Sequence, residues 1–122
     1  MARQTKQRIL DASLALFNAQ GEPNVTTNHI ADDLEISPGN LYYHFRNKDD
    51  IIEQIFQRFE ERMDAALVAP EDRLPELEDI WLQLHLVFEC ISEYRFLYRD
   101  IVNILSRNRM LRMRFARILK RA

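Results

Sequence analysis

Helix-breaking residues are scarce in this sequence. Its 122 residues include 2 glycines and 4 prolines, and no alternating apolar pattern extends beyond a few positions. Loops that cradle phosphate groups of cofactors need several glycines, and half-buried strands need an apolar residue at every second position. These shortages exclude most glycine-rich cofactor folds and predict an all-α chain.

Cysteine and long apolar runs are also rare. The single cysteine, Cys90, has no partner for an internal disulfide, which suits a reducing, cytoplasmic location. Without a second cysteine to resolve an oxidised thiol, we expect Cys90 to be an inert core residue rather than a redox sensor. No run approaches the roughly 18 apolar residues of a membrane span, so we expect no membrane partner.

Charge is divided unevenly along the chain, although the net charge is only −2. Residues 49–94 hold 13 acidic and 3 basic side chains, whereas residues 95–122 hold 1 acidic and 9 basic ones. We expect the basic C-terminal segment to face solvent or to pair with the acidic stretch. The alternative is binding of this segment to anionic lipid or nucleic acid.

Capping signals predict the helices of the first half. Gly21 suits the C-cap of a first helix, Thr26 and Ser37 precede the next two helices, and Asn47 precedes a fourth. The predicted helices span residues 5–20, 27–34, 38–45 and 48–68. After a polar link at 69–75, further helices are predicted at 77–91, 94–105 and 108–122, and the first of these is expected to be buried on more than one face.

The two short helices behind a longer one predict a helix-turn-helix. On a wheel of the second short helix, Leu41 and Phe45 lie about 40° apart and point inward. Gly39, Asn40 and Tyr43 fall on the opposite face. Small groups, an amide and aromatic rings on an outward face suit the major groove of DNA.

Roles in DNA binding follow from these side chains. Asn40 is the best candidate for a base-edge contact, followed by Tyr42 and Gly39. Thr27, His44, Lys48 and Tyr43 are candidates for contacts with phosphates, since the N-termini of both short helices also favour anions. The alternative is a helical protein-interaction module whose Tyr42–Tyr43 surface docks a protein partner.

The first 50 residues resemble the N-terminal domain of the tetracycline-repressor (TetR) family of bacterial transcription regulators. The resemblance lies in the stretch ILDASLALFNAQGEPNVTTNHIADDLEISPGNLYYHFRNKDDII. Residues that match the family pattern are Phe17, Gly21, Thr26, Thr27, Ile30, Ala31, Ser37, Gly39, Leu41, Tyr42, Phe45 and Lys48. One residue departs from the pattern: Glu35 stands in the turn where the family usually has glycine.

The resemblance implies a helix-turn-helix domain over residues 1–47 and a regulatory domain over 48–122, of which 48–68 form a connecting helix. It implies a homodimeric, ligand-responsive repressor of a palindromic operator in double-stranded DNA, with a small-molecule effector bound in the C-terminal helices. Family members are usually longer, so we expect the regulatory and dimerisation part to be incomplete. The implied base-reading residues are Asn28, Pro38, Gly39, Asn40 and Tyr42, and the implied phosphate contacts are Thr27, Tyr43, His44 and Lys48.

An effector pocket is predicted around aromatic residues of the second half. Trp81, His85 and Phe88 share one helical face, and Tyr98 follows in the next helix. The alternative is that they are ordinary core residues, as aromatics at this spacing usually are. No metal-ligand spacing, nucleophile elbow or cysteine-base pair is present, so no cofactor and no enzymatic activity are expected.

Overall fold

In a computed structural model, the backbone of residues 2–121 and the side chains of residues 4–120 are described. Helix is the regular structure throughout this part of the chain, and the all-α prediction is confirmed. The elements in chain order are α1 Ala2–Gln20, a 3-10 turn Glu22–Asn24, α2 Thr27–Leu34, α3 Pro38–His44, α4 Lys48–Ala66, α5 Leu77–Glu93, α6 Arg95–Arg99, α7 Ile101–Arg107 and α8 Arg109–Arg121.

The predicted N-caps of α2, α3 and α4 are confirmed. The Thr26 hydroxyl accepts a hydrogen bond from the His29 amide at 3.2 Å, and His29 Nδ1 accepts one from the Thr26 amide at 3.3 Å. Ser37 Oγ and the Asn47 side chain accept from amides three residues ahead, at 3.0 and 2.8 Å. Each cap satisfies an N–H that would otherwise lack a partner in the first helical turn.

The turn between α2 and α3 is a Schellman motif with Glu35 in the left-handed region, at φ 57° and ψ 41°. The Glu35 amide donates to Asp32 O at 3.1 Å, and the Ile36 amide donates to Ala31 O at 3.0 Å. The positive φ at which a glycine is favoured is therefore present, although the residue has a side chain. Gly21, which ends α1, also has a positive φ, of 88°.

One apolar core supports the helix-turn-helix. Ile9 and Phe17 of α1, Ile30 of α2, and Leu41 and Phe45 of the α3 region are all at most 1% exposed. They pack against the first turns of α4, whose Ile51, Ile52 and Ile55 are equally buried. Burial of each such side chain contributes about 1.5–3 kcal/mol to the stability of the fold. This packing therefore holds α3 in a fixed orientation relative to α1 and α4.

The remainder of α4 carries an aromatic cluster that holds the second half. Phe59 stacks on Phe115 of α8 with centroids 6.4 Å apart, and it meets Tyr94 and Tyr98 edge-on at 5.7 and 6.0 Å. Burial raises the pKa of the Tyr98 hydroxyl to about 12. The cluster joins α4, α6 and α8 into the same body as the helix-turn-helix.

The expected burial of α5 on several faces is wrong. Leu77, Trp81 and Phe88 are 82%, 67% and 65% exposed, and Cys90 is the one residue of this helix that is buried. The apolar pattern identified the helix correctly. Among the residues that the structure describes, however, α5 packs mainly against α4 and α6, and large apolar side chains on its other side stay exposed.

Two further predictions for the second half have mixed outcomes. The single helix expected over 94–105 is two helices, α6 and α7, separated at Asp100, whose carboxylate accepts the Glu22 amide at 3.0 Å. The expected pairing of the basic segment with the acidic stretch is present: Arg114 Nε donates to Glu60 at 2.9 Å, and Arg117 Nη2 does so at 3.1 Å.

Candidate nucleic-acid interface

Helix α3 presents the predicted face to solvent. Leu41 is fully buried, whereas Gly39, Asn40 and Tyr43 are exposed, Tyr43 to 80%. Pro38 and Gly39 lie in the first turn, where an added Cβ on Gly39 would have Ser37 Oγ, at 3.9 Å, as its nearest contact beyond its chain neighbours and the backbone of its own helix. The start of the helix is therefore slim and unobstructed, so a second surface can approach it closely.

Tyr42 is tied to the helix before it. Its hydroxyl oxygen lies 2.8 Å from Thr27 Oγ1, in the first turn of α2. Because one hydroxyl donates to the other, a single O–H of the pair remains available for an outside acceptor. The bond thus places a hydrogen-bond donor at the junction of the two short helices and fixes the orientation of the Tyr42 ring.

The other candidate contacts flank this junction. Asn28 is exposed beside Thr27, and His44 is half-buried with its ring edge-on to Tyr43, at a centroid distance of 5.1 Å. Neither α2 nor α3 carries an acidic residue in its first turn. The positive ends of both helix dipoles are therefore unopposed, which favours phosphate groups.

Lys48 occupies a different environment from the one expected. Its Nζ donates to the carbonyl oxygens of Glu22 and Val25 at 3.0 and 2.9 Å and lies 3.3 Å from the Glu22 carboxylate. An ammonium group has three donors: the two carbonyl oxygens accept two of them, and the Glu22 carboxylate adds an ion pair. The structure thus turns Lys48 towards the turn before α2, and the phosphate contact that the resemblance implies stays a prediction.

Arg46 is a candidate that sequence reasoning missed. It lies two residues beyond the end of α3, its side chain is 82% exposed, and its Nε is 3.9 Å from Asp50 Oδ2. A cation close to the end of the second short helix was a usable signal in the sequence, but the family pattern matches Lys48 and not Arg46. Lys6 is a second cation near this region, with Nζ 5.6 Å from the centroid of the Phe45 ring.

The four predicted effector-pocket residues do not converge. Trp81 and His85 stack on each other with centroids 5.5 Å apart on the exposed side of α5, where His85 also lies 3.1 Å from Glu89. Phe88 is exposed beside them, while Tyr98 lies in the aromatic cluster of α4 and α8. Trp81, His85 and Phe88 are therefore surface residues, whereas Tyr98 packs against the core.

Other site types have no support in the described residues. No group of three His, Cys, Asp or Glu side chains there has the geometry to hold a metal ion. Within the same residues, no helix is long and apolar enough to cross a bilayer. What remains is a helix-turn-helix that presents amide, hydroxyl and aromatic groups on one outward face, and such an arrangement defines a DNA-binding module.

Comparisons with known proteins agree with this class. The family model for "Bacterial regulatory proteins, tetR family" matches residues 9–55, and the TetR model described as "Bacterial transcriptional repressor" matches residues 58–122. The chain belongs to the TetR family. Both descriptions name bacterial regulators of transcription, which agrees with a DNA-binding helix-turn-helix and favours it over the protein-docking interpretation of Tyr42 and Tyr43.

Individual relatives extend this result. A crystal structure of a TetR-family transcriptional regulator from Marinobacter aquaeolei VT8 is 50% identical, with a TM-score of 0.93, over 96% of this chain and 58% of that one. The HTH-type transcriptional regulator AcrR of Shigella flexneri is 29% identical over 77% of this chain and 45% of its own length. The uncharacterized regulator TtgW of Pseudomonas putida is 39% identical over 44% of this chain and 40% of its own length. The chain thus spans about half the length of these relatives.

Proposed function

We propose that the protein is a ligand-responsive repressor that binds a palindromic operator as a homodimer, with α3 in the major groove. The observation that carries the proposal is the free outward face of α3, with Asn40 exposed above a fully buried Leu41. An exposed amide at the start of a slim helix can make two hydrogen bonds to an adenine edge. Two such helices must lie roughly 34–36 Å apart to enter successive grooves.

The residues of the interface divide by role. Asn28, Pro38, Gly39, Asn40 and Tyr42 are proposed to face base edges. Thr27, Tyr43, His44 and the additional cation Arg46 are proposed to hold phosphates. Phosphate contacts position a protein on DNA, whereas base contacts choose the sequence, so variants of the two sets are expected to behave differently.

The effector is proposed to bind among the C-terminal helices. A surface groove of about 410 Å³ between the end of α4, the link at 69–75 and α5 is lined by Ala66, Val68, Pro70, Leu82 and Leu86, with Asp79 and Arg73 at its polar side. Its mixed lining suits a mainly apolar small molecule with one polar group. Binding there alters DNA affinity only if the effector prefers one spacing of the two α3 helices.

Selection of duplexes from a random library tests the proposal. The wild-type chain is expected to enrich an inverted repeat with half-sites one helical turn apart, and fluorescence anisotropy then measures affinity for that duplex against a scrambled one. Recovery of a single, non-repeated half-site would contradict the homodimer. Equal affinity for the selected and scrambled duplexes would contradict specific operator binding.

A further inference from the structure

A buried carboxylate lies at the boundary between the helix-turn-helix and the C-terminal helices. The Glu22 side chain is fully buried, and its Oε1 lies 2.5 Å from Arg107 Nη2 and 3.3 Å from Lys48 Nζ. Its Oε2 has no hydrogen-bond partner among the residues that the structure describes. A buried anion is costly unless it is paired, so this residue depends on its two cations.

The three residues belong to three different parts of the chain. Glu22 begins the turn between α1 and α2, Lys48 is the first residue of α4, and Arg107 is the last residue of α7. Lys48 also holds the carbonyl of Val25, the residue that precedes the N-cap of α2. Arg107 in addition lies 3.3 Å from Asp49 Oδ1, in the first turn of α4. Lys48, the first residue after the helix-turn-helix, therefore contacts the turn before α2 through both the side chain and the backbone of Glu22, and Arg107 connects α7 to the same carboxylate.

Further hydrogen bonds connect the same surfaces. Arg99 Nη2 donates to the carbonyl oxygens of Phe17 and Asn18 at 2.8 and 2.9 Å. The Asn18 side chain donates to Glu93 O at 2.7 Å and accepts from the Phe96 amide at 3.0 Å. These bonds fasten the last turn of α1 to α5 and α6. The junction therefore combines directional polar bonds with the packing of Phe17 on Phe96, whose ring centroids are 5.1 Å apart, and it forms a continuous physical connection from α6 and α7 to the turn before α2.

We propose that Glu22, Lys48 and Arg107 form a positioning junction through which helix α7 sets the orientation of α2 and α3, and hence the affinity for DNA. Lys48 and Arg107 act through Glu22 and do not themselves contact DNA. This inference rests on the proposed function, because it takes binding through α3 as its readout. It differs from a plain stabilising ion pair in that the loss of Arg107 alters the helix-turn-helix specifically.

The chain supplies a matched control. Glu60 is a nearly buried carboxylate with two cations, Arg114 and Arg117, and the Arg114 side chain is 27% exposed against 32% for Arg107. Removing Arg114 leaves Glu60 with one remaining cation, and removing Arg107 likewise leaves Glu22 with one, while the half-exposed Asp49 loses an ion pair of 3.3 Å. The Glu60 cluster connects α8 to the middle of α4 and contacts no residue of α2 or α3 in these ion pairs.

The experiment compares Arg107→Met with Arg114→Met in the full chain, using a duplex selected from a random library and confirming helicity by circular dichroism. We expect Arg107→Met to weaken binding about tenfold, a typical allosteric coupling, and Arg114→Met to change it by less than about twofold. Arg107→Lys is expected to restore most of the affinity. In a Glu22→Gln background, Arg107→Met should cost less than about twofold, because the two residues act as one unit.

Two measurements separate positioning from other roles. Lys48→Met should lower affinity without changing the salt dependence, whereas loss of a phosphate contact lowers its slope by about one unit. Hydrogen exchange of amides 27–44 should accelerate in Arg107→Met and not in Arg114→Met, which requires no DNA.

Equal losses of DNA affinity in Arg107→Met and Arg114→Met, or unchanged hydrogen exchange in both, would overturn the positioning junction. A lower slope of the salt dependence for Lys48→Met would show that Lys48 contacts DNA and would contradict its role in the junction. If the wild type selects no duplex at all, the proposed function fails, and the exchange measurement still decides the inference.

Discussion

The hydroxyl oxygens of Thr27 and Tyr42 lie 2.8 Å apart, so a hydrogen bond joins the first turn of α2 to the middle of α3. Tyr42→Phe removes this bond while keeping the ring. We expect the free energy of unfolding to fall by about 0.5–1 kcal/mol, as for a solvent-accessible hydrogen bond. Urea denaturation measures the change, with Tyr98→Phe in the aromatic cluster as the control. Thr27→Val should have the same effect, and the double variant should cost no more than either single one.

Asn40 is predicted to read a base. Its side chain is exposed, and the cap of α3 uses its backbone amide rather than its side chain, so Asn40→Ala should leave the fold intact. We expect a loss of about 1–3 kcal/mol of binding free energy and a relaxed preference at one base pair. Anisotropy on duplexes that vary at each position measures both, and Asn103→Ala, at an exposed site in α7, is the control. An equal loss on every duplex would show that Asn40 positions the protein rather than reading sequence.

Glu35 carries backbone strain that glycine would remove. Its φ of 57° lies in the left-handed region, where a Cβ is unfavourable. Glu35→Gly is therefore expected to raise the free energy of unfolding by about 0.5–1 kcal/mol, net of the greater freedom of glycine in the unfolded chain. Glu35→Ala removes the same carboxylate but keeps the Cβ, so it should give no comparable gain. If both variants stabilise equally, the cause is the charge and not the backbone.

Cys90 is predicted to resist thiol reagents. Burial raises the pKa of its thiol to about 11, so the reactive thiolate is scarce in the folded state near neutral pH. A chromogenic disulfide reagent should react slowly with the native protein and quickly in guanidinium chloride. Because the folded pKa lies above the usual 9.0, stability is expected to decline as the pH rises from 9.0 towards 11. Equal rates in both states would contradict the burial of the thiol.

Asp79 is predicted to titrate at an unusually low pH. The hydrogen bond from Arg73, followed by that from the Glu76 amide, lowers the pKa of its carboxyl group to about 2. Because the pKa is lower in the folded state than the usual 3.8, the ionised carboxylate stabilises the fold at pH values above 3.8, and this stabilisation is lost as the pH falls through about 2. Side-chain NMR titration measures the midpoint. Arg73→Met should raise it, and Arg95→Met, which removes an arginine elsewhere, should not.

Local chemistry explains why the helix-turn-helix was predictable from the sequence. Thr26, Ser37 and Asn47 each accept a hydrogen bond from an amide three residues ahead. The start of each helix therefore depends on only a few neighbouring residues of the sequence. The inward direction of Leu41 and Phe45 follows from helical periodicity alone. The outward face of α3 then indicated DNA binding through Gly39 and Asn40, and the family pattern added Asn28 and Pro38 to the predicted base-reading residues.

What could not be predicted depends on residues that are distant in sequence. Glu22 reads as a surface residue in a connection, yet Arg107, 85 positions away, and Lys48 bury and pair it. Lys48 lies 26 positions from Glu22, so its contacts with that turn could not be predicted either, and the resemblance implies only its phosphate contact. The exposure of α5 depends on which helices pack against it, and the apolar pattern of α5 does not specify those helices.

The uncovered side of α5 has a practical consequence for anyone who purifies this chain. One side of this helix forms a continuous exposed apolar surface. Its residues, each about half or more exposed, are Leu77, Ile80, Trp81, Leu84 and Phe88. Exposed apolar surfaces of this kind bind hydrophobic dyes and promote self-association as the protein concentration rises. In a dye-based melting experiment, the fluorescence of the folded protein would already be high, and a dilute sample with a polar co-solute would show less self-association.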